Sequence, residues 1–460
     1  MRCPVPLRRL LRASRIGCAC VALCALPACV TTVDWLGGPG STGSAGSAGS
    51  AGSAGGTGST SGTGGAGGTG GGEGGLSSDD LRPLTGPDAY PNVLRDVLGK
   101  TDEEIAEKLE DRFNQLFYGD PYTEAIYYPV LGTVDQAFIY DVLHMDVRTE
   151  GIGFAMIITV ELDKRREFDR LWQYARTELR YATGPNAGYL RSWCDIPGGK
   201  APCVDPFGQQ QIAMALLFAH GRWGSDTGSL DYGADALALL DVMRHKEERN
   251  GGVVSGVTNM FDAETKLVFD IPHVAAANTT RPSIEMPAYY ELWAQATGDP
   301  FWSEAAASAR AYWKQVAHPR TGLMPERADF GGTPLPGSDD FGAQAYRTPL
   351  NMALDHVWFG VDPWQVEEAD RLLAFFSEQG IDDYGGAYTL EGEASSVPMS
   401  REAALIFMNG VTGLVAENED RAAYIEAAWS MPPSTGTPRY YSGLLHLLSL
   451  LTLSGQFRVY

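Results

Sequence analysis

Twelve runs of apolar residues, each recurring every three to four positions, constrain this chain more than any other feature. Ile105, Leu109, Phe113 and Leu116 make the first of them. Such a stripe lies along one face of an α-helix and must be covered by another element. The runs fall at 102–117, 150–163, 165–182, 209–221, 229–249, 284–298, 300–316, 343–358, 363–379, 400–415, 418–429 and 438–454, divided by Gly and Pro clusters. Only Val257 to Asp270 reads as a β-hairpin. Twelve helices with short connections form six helical hairpins, which either close into a ring with a cleft at one end or pack as an irregular bundle.

The first 75 residues have the composition of an address and a tether. Residues 1–28 hold five arginines and no acid, and their apolar stretch from Ile16 to Leu26 is too short to span a bilayer. Leu26-Pro27-Ala28-Cys29 is similar to a bacterial lipobox, although Pro27 stands where Ser, Thr or Ala is more usual. Residues 1–28 are therefore read as a lipoprotein signal peptide and 29–36 as an anchor segment with Cys29 lipidated. Gly37 to Gly75 is almost wholly Gly, Ser, Ala and Thr, which cannot bury enough apolar surface to fold. A Gly-rich coil of about 39 residues has a root-mean-square span of roughly 35 Å. The folded domain is expected over 76–460, outside the cytoplasm, lipid-anchored at the outer membrane or cell surface, or else secreted. Leu444 to Leu453 is too short to cross a membrane, so the lipid is the only membrane contact expected.

Charge excludes one class of partner. The chain carries a formal −22 even with its arginine-rich leader, whereas a phosphate backbone is held by clustered Lys and Arg. Nucleic acid is therefore not expected, and a monomer is. Cys194 and Cys203 lie in a loop rich in Gly, Pro and Asp, and in an exported chain a disulfide between them is expected. No second Cys pair or His-x-x-x-His lies near, so no metal site is expected. Gly331-Gly332 and Gly385-Gly386 lack the Lys-Ser/Thr of a phosphate loop, and no cofactor is expected.

Asp146-Val147-Arg148-Thr149-Glu150-Gly151 places a carboxylate at the start of an apolar, helix-like run. Thr149 is suited to cap that helix, and Gly151 and Gly153 leave room for a bulky group close to Glu150. A carboxyl fixed in apolar surroundings is a candidate proton donor. Acidic residues also favour a helix N-terminus for its dipole alone, and Asp146 and Arg148 either orient Glu150 or bridge helix ends.

The chain closely resembles glycoside hydrolase family 8, inverting enzymes that cut β-1,4-linked glycans. The resemblance covers most of 125–460. It rests on the Asp146–Gly151 motif, Glu167-Phe168-Asp169-Arg170-Leu171-Trp172, Arg222-Trp223-Gly224, Pro282-Ser283-Ile284-Glu285-Met286-Pro287 with Ala288-Tyr289-Tyr290-Glu291-Leu292, and His318-Pro319-Arg320-Thr321-Gly322-Leu323. Tyr346-Arg347-Thr348-Pro349, Arg439-Tyr440-Tyr441 and Leu453-Ser454-Gly455-Gln456-Phe457 complete the series. The branch acting on short xylo-oligosaccharides from the reducing end looks nearest. The resemblance implies an all-α (α/α)6 barrel, here with a small β-hairpin, an oligo- or polysaccharide substrate, and Glu150 as general acid.

Inversion also needs a second carboxylate roughly 6.5–9.5 Å away to activate water. Here the chain departs from the family pattern. Arg281 stands where relatives commonly place the base, Phe207 aligns with a second family carboxylate and Gln344 with a third. An arginine cannot accept that proton. Three readings follow: hydrolysis with a relocated base, for which Glu285 and Asp205 are candidates; glycan binding without cleavage; and phosphorolysis with Arg281 holding phosphate. Each candidate also has an ordinary reading, Glu285 as a solvated helix charge and Asp205 as a turn residue before Pro206. Trp193, Tyr289 and Tyr346 are candidates to stack on sugar rings, with Asp146, Arg281 and Arg347 as further substrate contacts. Trp172, Trp293, Trp302, Trp313 and Trp429 lie inside helical stripes and read as core.

Overall fold

Twelve of the thirteen helices among the described residues start within five positions of the start of an apolar run identified above. The computed structural model describes residues 77–195, 200, 203–225, 230–397, 399 and 402–460. The expected signal peptide, Cys29 and the linker lie outside them.

After α1 (Val93–Asp96) and α2 (Asp102–Tyr118), a four-stranded antiparallel sheet runs in the order β1 (Tyr127–Pro129), β2 (Ala137–Asp141), β3 (Asp146–Arg148) and β4 (Trp193–Asp195). Between β3 and β4 lie α3 (Thr149–Glu161) and α4 (Arg165–Tyr174), the latter continuing as a π-helical turn, Ala175–Leu179. There follow α5 (Pro206–Trp223), α6 (Tyr232–Asn250), α7 (Pro287–Thr297), α8 (Pro300–Val316), α9 (Thr348–Trp358), α10 (Trp364–Gln379), α11 (Ala403–Val415), α12 (Arg421–Ser430) and α13 (Tyr441–Leu453). A second small sheet pairs β5 (Thr279–Thr280) with β6 (Ala328–Asp329). The segment expected as a hairpin, Val257–Asp270, forms no strand pair, and its two arms meet in one isolated bridge, Phe261 to Val268, where the Asp262 side chain accepts from Glu264 and Thr265 and rounds the turn tightly.

Every second long helix is inner. α3 packs on α5, α7 on α9, α9 on α11, α11 on α13, and α13 returns to α3. Gln210 and Gln211 close the remaining gap, one donating to the Ile284 carbonyl at 3.1 Å and the other accepting from Tyr289 Oη at 2.9 Å. This is the (α/α)6 barrel. Its inner helices must be apolar on all sides, since both ring neighbours and the outer layer cover them. α5 is buried from Pro206 to Ala219, and α3 is buried at every position except Glu150.

Because an outer helix returns the chain each time, the inner helices start at the same end of the barrel. That end gathers Glu150, Asp205, Arg281, Gln344, Arg347, Glu402 and Tyr440, residues at or just before the N-termini of α3, α5, α7, α9, α11 and α13. The positive ends of the helix dipoles meet there, which favours carboxylates.

Candidate active site

Glu150 sits in the first turn of α3, and its Oε1 accepts a charge-assisted bond from Arg347 Nη1. The strand leading to it is held rigidly. Arg148 Nε lies 2.9 Å from Asp146 Oδ1 and 3.1 Å from Asp141 Oδ2, and His144 Nδ1 lies 2.6 Å from the same Asp141 oxygen. Asp146 is thus a buried partner of Arg148 and not a sugar contact, which corrects its assignment from the sequence; burial raises its pKa. Thr149 does not cap α3 either. Its hydroxyl donates to the Arg191 carbonyl, and Arg148 occupies the N-cap without a side-chain bond. Trp193, half-buried, is the register partner of Arg148 and so flanks the strand that delivers Glu150.

Two glycines let neighbouring elements approach Glu150. A Cβ on Gly151 would meet Tyr440 Cε2 at 2.5 Å, so the bulky group beside Glu150 is a tyrosine ring of the protein. A Cβ on Gly208 would stand 2.6 Å from the Glu150 nitrogen and 2.7 Å from Asp205 Oδ2, so Asp205 and the start of α3 meet across that glycine. Asp205 caps α5, accepting from Phe207 N at 3.1 Å. Burial first, then the charge of Glu150, push its carboxyl up to about 6, while Arg281 and Arg347 oppose them. Asp205 is a neighbour of Glu150 from beneath, enclosed and committed to a helix cap.

The three departures from the family pattern lie together. Gln344 Oε1 accepts from Arg347 Nη2 and, at 3.4 Å, from Arg281 Nη1. The Arg347 guanidinium lies 4.2 Å over the Phe207 ring. Arg281 is buried, with Nε 2.6 Å from Asp270 Oδ1, and Arg327 Nε reaches the other Asp270 oxygen at 3.3 Å. Sequence reasoning missed Asp270, Glu326 and Glu402. Glu326 is half-buried, and its Oε1 accepts from the Gln344 backbone nitrogen at 3.0 Å. Glu402 precedes α11, and burial raises its pKa. The sequence signal for Glu402 was its place immediately before an inner helix; Asp270 and Glu326 carried none.

Other expected site residues are elsewhere. Glu285 is fully buried and pinned by Val268 N at 3.0 Å and Thr280 Oγ1 at 3.1 Å, and burial drives its carboxyl up to about 8. It braces a loop and is not a base facing Glu150. Tyr289 is buried in the ring, bonded to Gln211 and stacked on Trp358 with centroids 6.2 Å apart. Tyr346 is fully buried, its hydroxyl donating to the Gly386 carbonyl. Neither ring has a free face for a sugar. Trp172, Trp293, Trp302 and Trp313 are core as expected. Cys194 is a free thiol, so the disulfide expected with Cys203 does not form. Its sulfur turns inward to within 3.3 Å of Tyr174 Oη, while Cys203 Sγ lies 3.1 Å from Ser192 Oγ.

Glu150 is thus a half-buried carboxylate at the mouth of an (α/α)6 barrel, placed where a proton donor could meet a ligand, and comparison with known proteins identifies the family. The family model for glycosyl hydrolases family 8 matches residues 144–455. The chain belongs to this family. It is 38% identical over 380 residues to the reducing-end xylose-releasing exo-oligoxylanase Rex8A of Paenibacillus barcinonensis, covering 81% of this chain and 97% of that one. A reducing end xylose-releasing exo-oligoxylanase of Halalkalibacterium halodurans is 34% identical, covering 81% and 94%. The Rex8A structure with xylose superposes with a TM-score of 0.76 at 37% identity, covering 81% and 98%. A family 8 xylobiose complex from Teredinibacter turnerae gives 0.76 at 33% identity over the same shares. As a family 8 glycosyl hydrolase, the chain is a glycan-hydrolysing enzyme by lineage, and its departures lie at the chemistry rather than in the scaffold.

Proposed function

We propose that this family 8 enzyme hydrolyses short β-1,4-xylo-oligosaccharides with inversion, using Glu150 as proton donor and a base moved from its usual position. The observation that carries the reading is that Glu150 alone among α3 residues escapes burial, at the end where the inner helices begin. Similarity to exo-oligoxylanases supports the substrate, and Trp193 beside β3 supports a sugar wall there. Asp205 acts through its charge on the Glu150 pocket. The test is product analysis of residues 77–460 on xylo-, cello- and chito-oligosaccharides beside Glu150→Gln. Xylose release that disappears in the variant supports the proposal; release that survives it refutes Glu150 as donor.

A second reading, glycan binding without cleavage, is favoured by Gln344 and Arg281, neither of which accepts a proton where relatives commonly carry acids. It predicts oligosaccharide affinity in the wild type with no turnover. Phosphorolysis is the weaker reading, because Arg281 is already engaged with Asp270 at 2.6 Å. Lipid anchoring through Cys29 remains part of the proposal, and loss of fatty-acid labelling in Cys29→Ser tests it.

A further inference from the structure

We propose that Glu326 is the catalytic base, in place of the residue at 281. This assignment rests on the hydrolase reading above. A base for inversion must stand across the cleft from the acid, remain open to a water, and not be consumed by another partner. Glu326 alone among the carboxylates gathered here meets all three conditions.

Its position is fixed by the turn at Gln344. Glu326 Oε1 lies 3.0 Å from the Gln344 nitrogen, and a Cβ on Gly342 would come within 2.8 Å of the same oxygen, so the carboxylate lies against the turn that presents Gln344. From Gln344 the path to the acid is direct, because its side-chain oxygen accepts from Arg347, whose other nitrogen binds Glu150. Glu326 and Glu150 therefore stand at the two ends of the Gln344–Arg347 pair, Glu326 against the Gln344 nitrogen and Glu150 on the Arg347 guanidinium, and both charges act on Arg347. Tyr441, whose hydroxyl donates to the Ala343 carbonyl at 2.9 Å, also stands within the field of both. Glu326 is half-buried, so part of it stays open to water.

The other acids fail a condition. Asp270 is taken by Arg281 and Arg327. Asp205 is enclosed beneath Gly208 and caps α5. Glu285 is closed inside a loop. Among the described residues Glu402 makes no hydrogen bond to Gln344 or Arg347, so nothing ties it to the path that leads to Glu150.

In the resulting step, a water oxygen bonds to the anomeric carbon as the glycosidic C–O bond breaks. One water proton passes to Glu326, and the Glu150 proton passes to the departing oxygen. Anionic azide can replace that water without any base, forming the inverted glycosyl azide.

The experiment compares wild type, Glu326→Ala, Glu326→Gln and Glu402→Ala on xylo-oligosaccharides, with and without azide, alongside thermal unfolding. The expected result is a kcat about 10²–10⁴-fold lower in both Glu326 variants, with KM and unfolding temperature little changed. Azide should restore turnover of Glu326→Ala as the glycosyl azide of inverted configuration. Glu326→Ala within tenfold of an active wild type, or loss and azide rescue in Glu402→Ala instead, overturns the assignment and leaves the hydrolase reading standing. A wild type silent on every oligosaccharide overturns both. If Glu326→Ala unfolds, Glu326→Gln, which keeps the acceptor for the Gln344 nitrogen, decides the question.

Discussion

Asp205→Asn should make this protein more stable, by an amount that depends on pH. In the folded chain the Asp205 carboxyl is raised from 3.8 to about 6 by burial and by the charge of Glu150. The unfolded chain keeps the ordinary value near 3.9. Ionisation therefore costs more in the folded state, and a shift of about two units corresponds to roughly 3 kcal/mol. The sign follows from the raised value. Below about pH 4 both states are protonated and the cost is absent; it grows between about 4 and 6 and is complete above 6. Asparagine cannot ionise and remains a good N-cap, so the bond to Phe207 N is kept. Urea unfolding of wild type and Asp205→Asn at pH 4 and pH 8 should give nearly equal stabilities at the lower pH. At pH 8 the variant should be ahead by up to about 3 kcal/mol. Equal stabilities at both pH values would falsify the burial of a costly carboxylate beneath Glu150. The raised carboxyl of Glu285 is common to both proteins and cancels in the comparison.

Three further variants separate structure from chemistry. Glu285→Gln keeps an acceptor for Val268 N and removes a carboxyl raised to about 8; stability, which in the wild type should fall between about pH 4 and 8, should flatten in urea titrations while turnover is retained, and a 100-fold loss of kcat in a folded variant would contradict its bracing role. Gly151→Ala drives a methyl to 2.5 Å from the Tyr440 ring in a buried contact. It should cost about 1–3 kcal/mol and lower kcat by displacing Glu150, and an unchanged unfolding midpoint would show that the contact yields easily. Gln344→Asp introduced into Glu326→Ala should recover turnover in a steady-state assay, because it returns a carboxylate to the same side of Arg347; no recovery, with binding intact, counts against Glu326 as the displaced base.

Much of the fold was legible because helical periodicity is local. Ile105, Leu109, Phe113 and Leu116 are all buried on α2, and four of the five Trp residues inside stripes are core, whereas Trp429 is half-buried with Lys100 and Lys108 over its ring. The short strands β1 to β3 were not legible, since three to five residues leave little period to read. At the site, Glu150 was legible from the glycines after it, but the identity of its close neighbour was not, because Tyr440 lies almost 300 residues along the chain. Glu285 looked like a surface helix charge, whereas Pro287 delays α7 and leaves Glu285 in an extended link turned inward. Tyr289 sits four residues before Trp293, a helical spacing that pointed to the core it joins. The cysteines were close enough in sequence for a disulfide, but Cys194 lies in β4 with its sulfur turned toward Tyr174. Glu326 and Asp270 belong to loops whose approach to the cleft is set by the barrel and by no local pattern.

The departures at 207, 281 and 344 are better explained as one rearrangement than as three independent losses. An acid at 281 would face Asp270, and two buried carboxylates in contact cannot both ionise cheaply. Arginine at 281 removes that conflict and, with Arg327, uses both Asp270 oxygens. Its remaining nitrogens then need an acceptor that adds no charge, which the Gln344 amide provides while also accepting from Arg347. With 344 neutral, Arg347 is left to Glu150 on one side and to the Phe207 ring face on the other. An acid at 207 would compete with Glu150 for that guanidinium. Decay of an idle site would leave at least one of these buried cations unpaired, at a cost of about 3–5 kcal/mol. Each has a partner, so the polar network has been refitted around Glu150 and Glu326, the half-buried carboxylate that makes no ion pair among the described residues at the Gln344 turn.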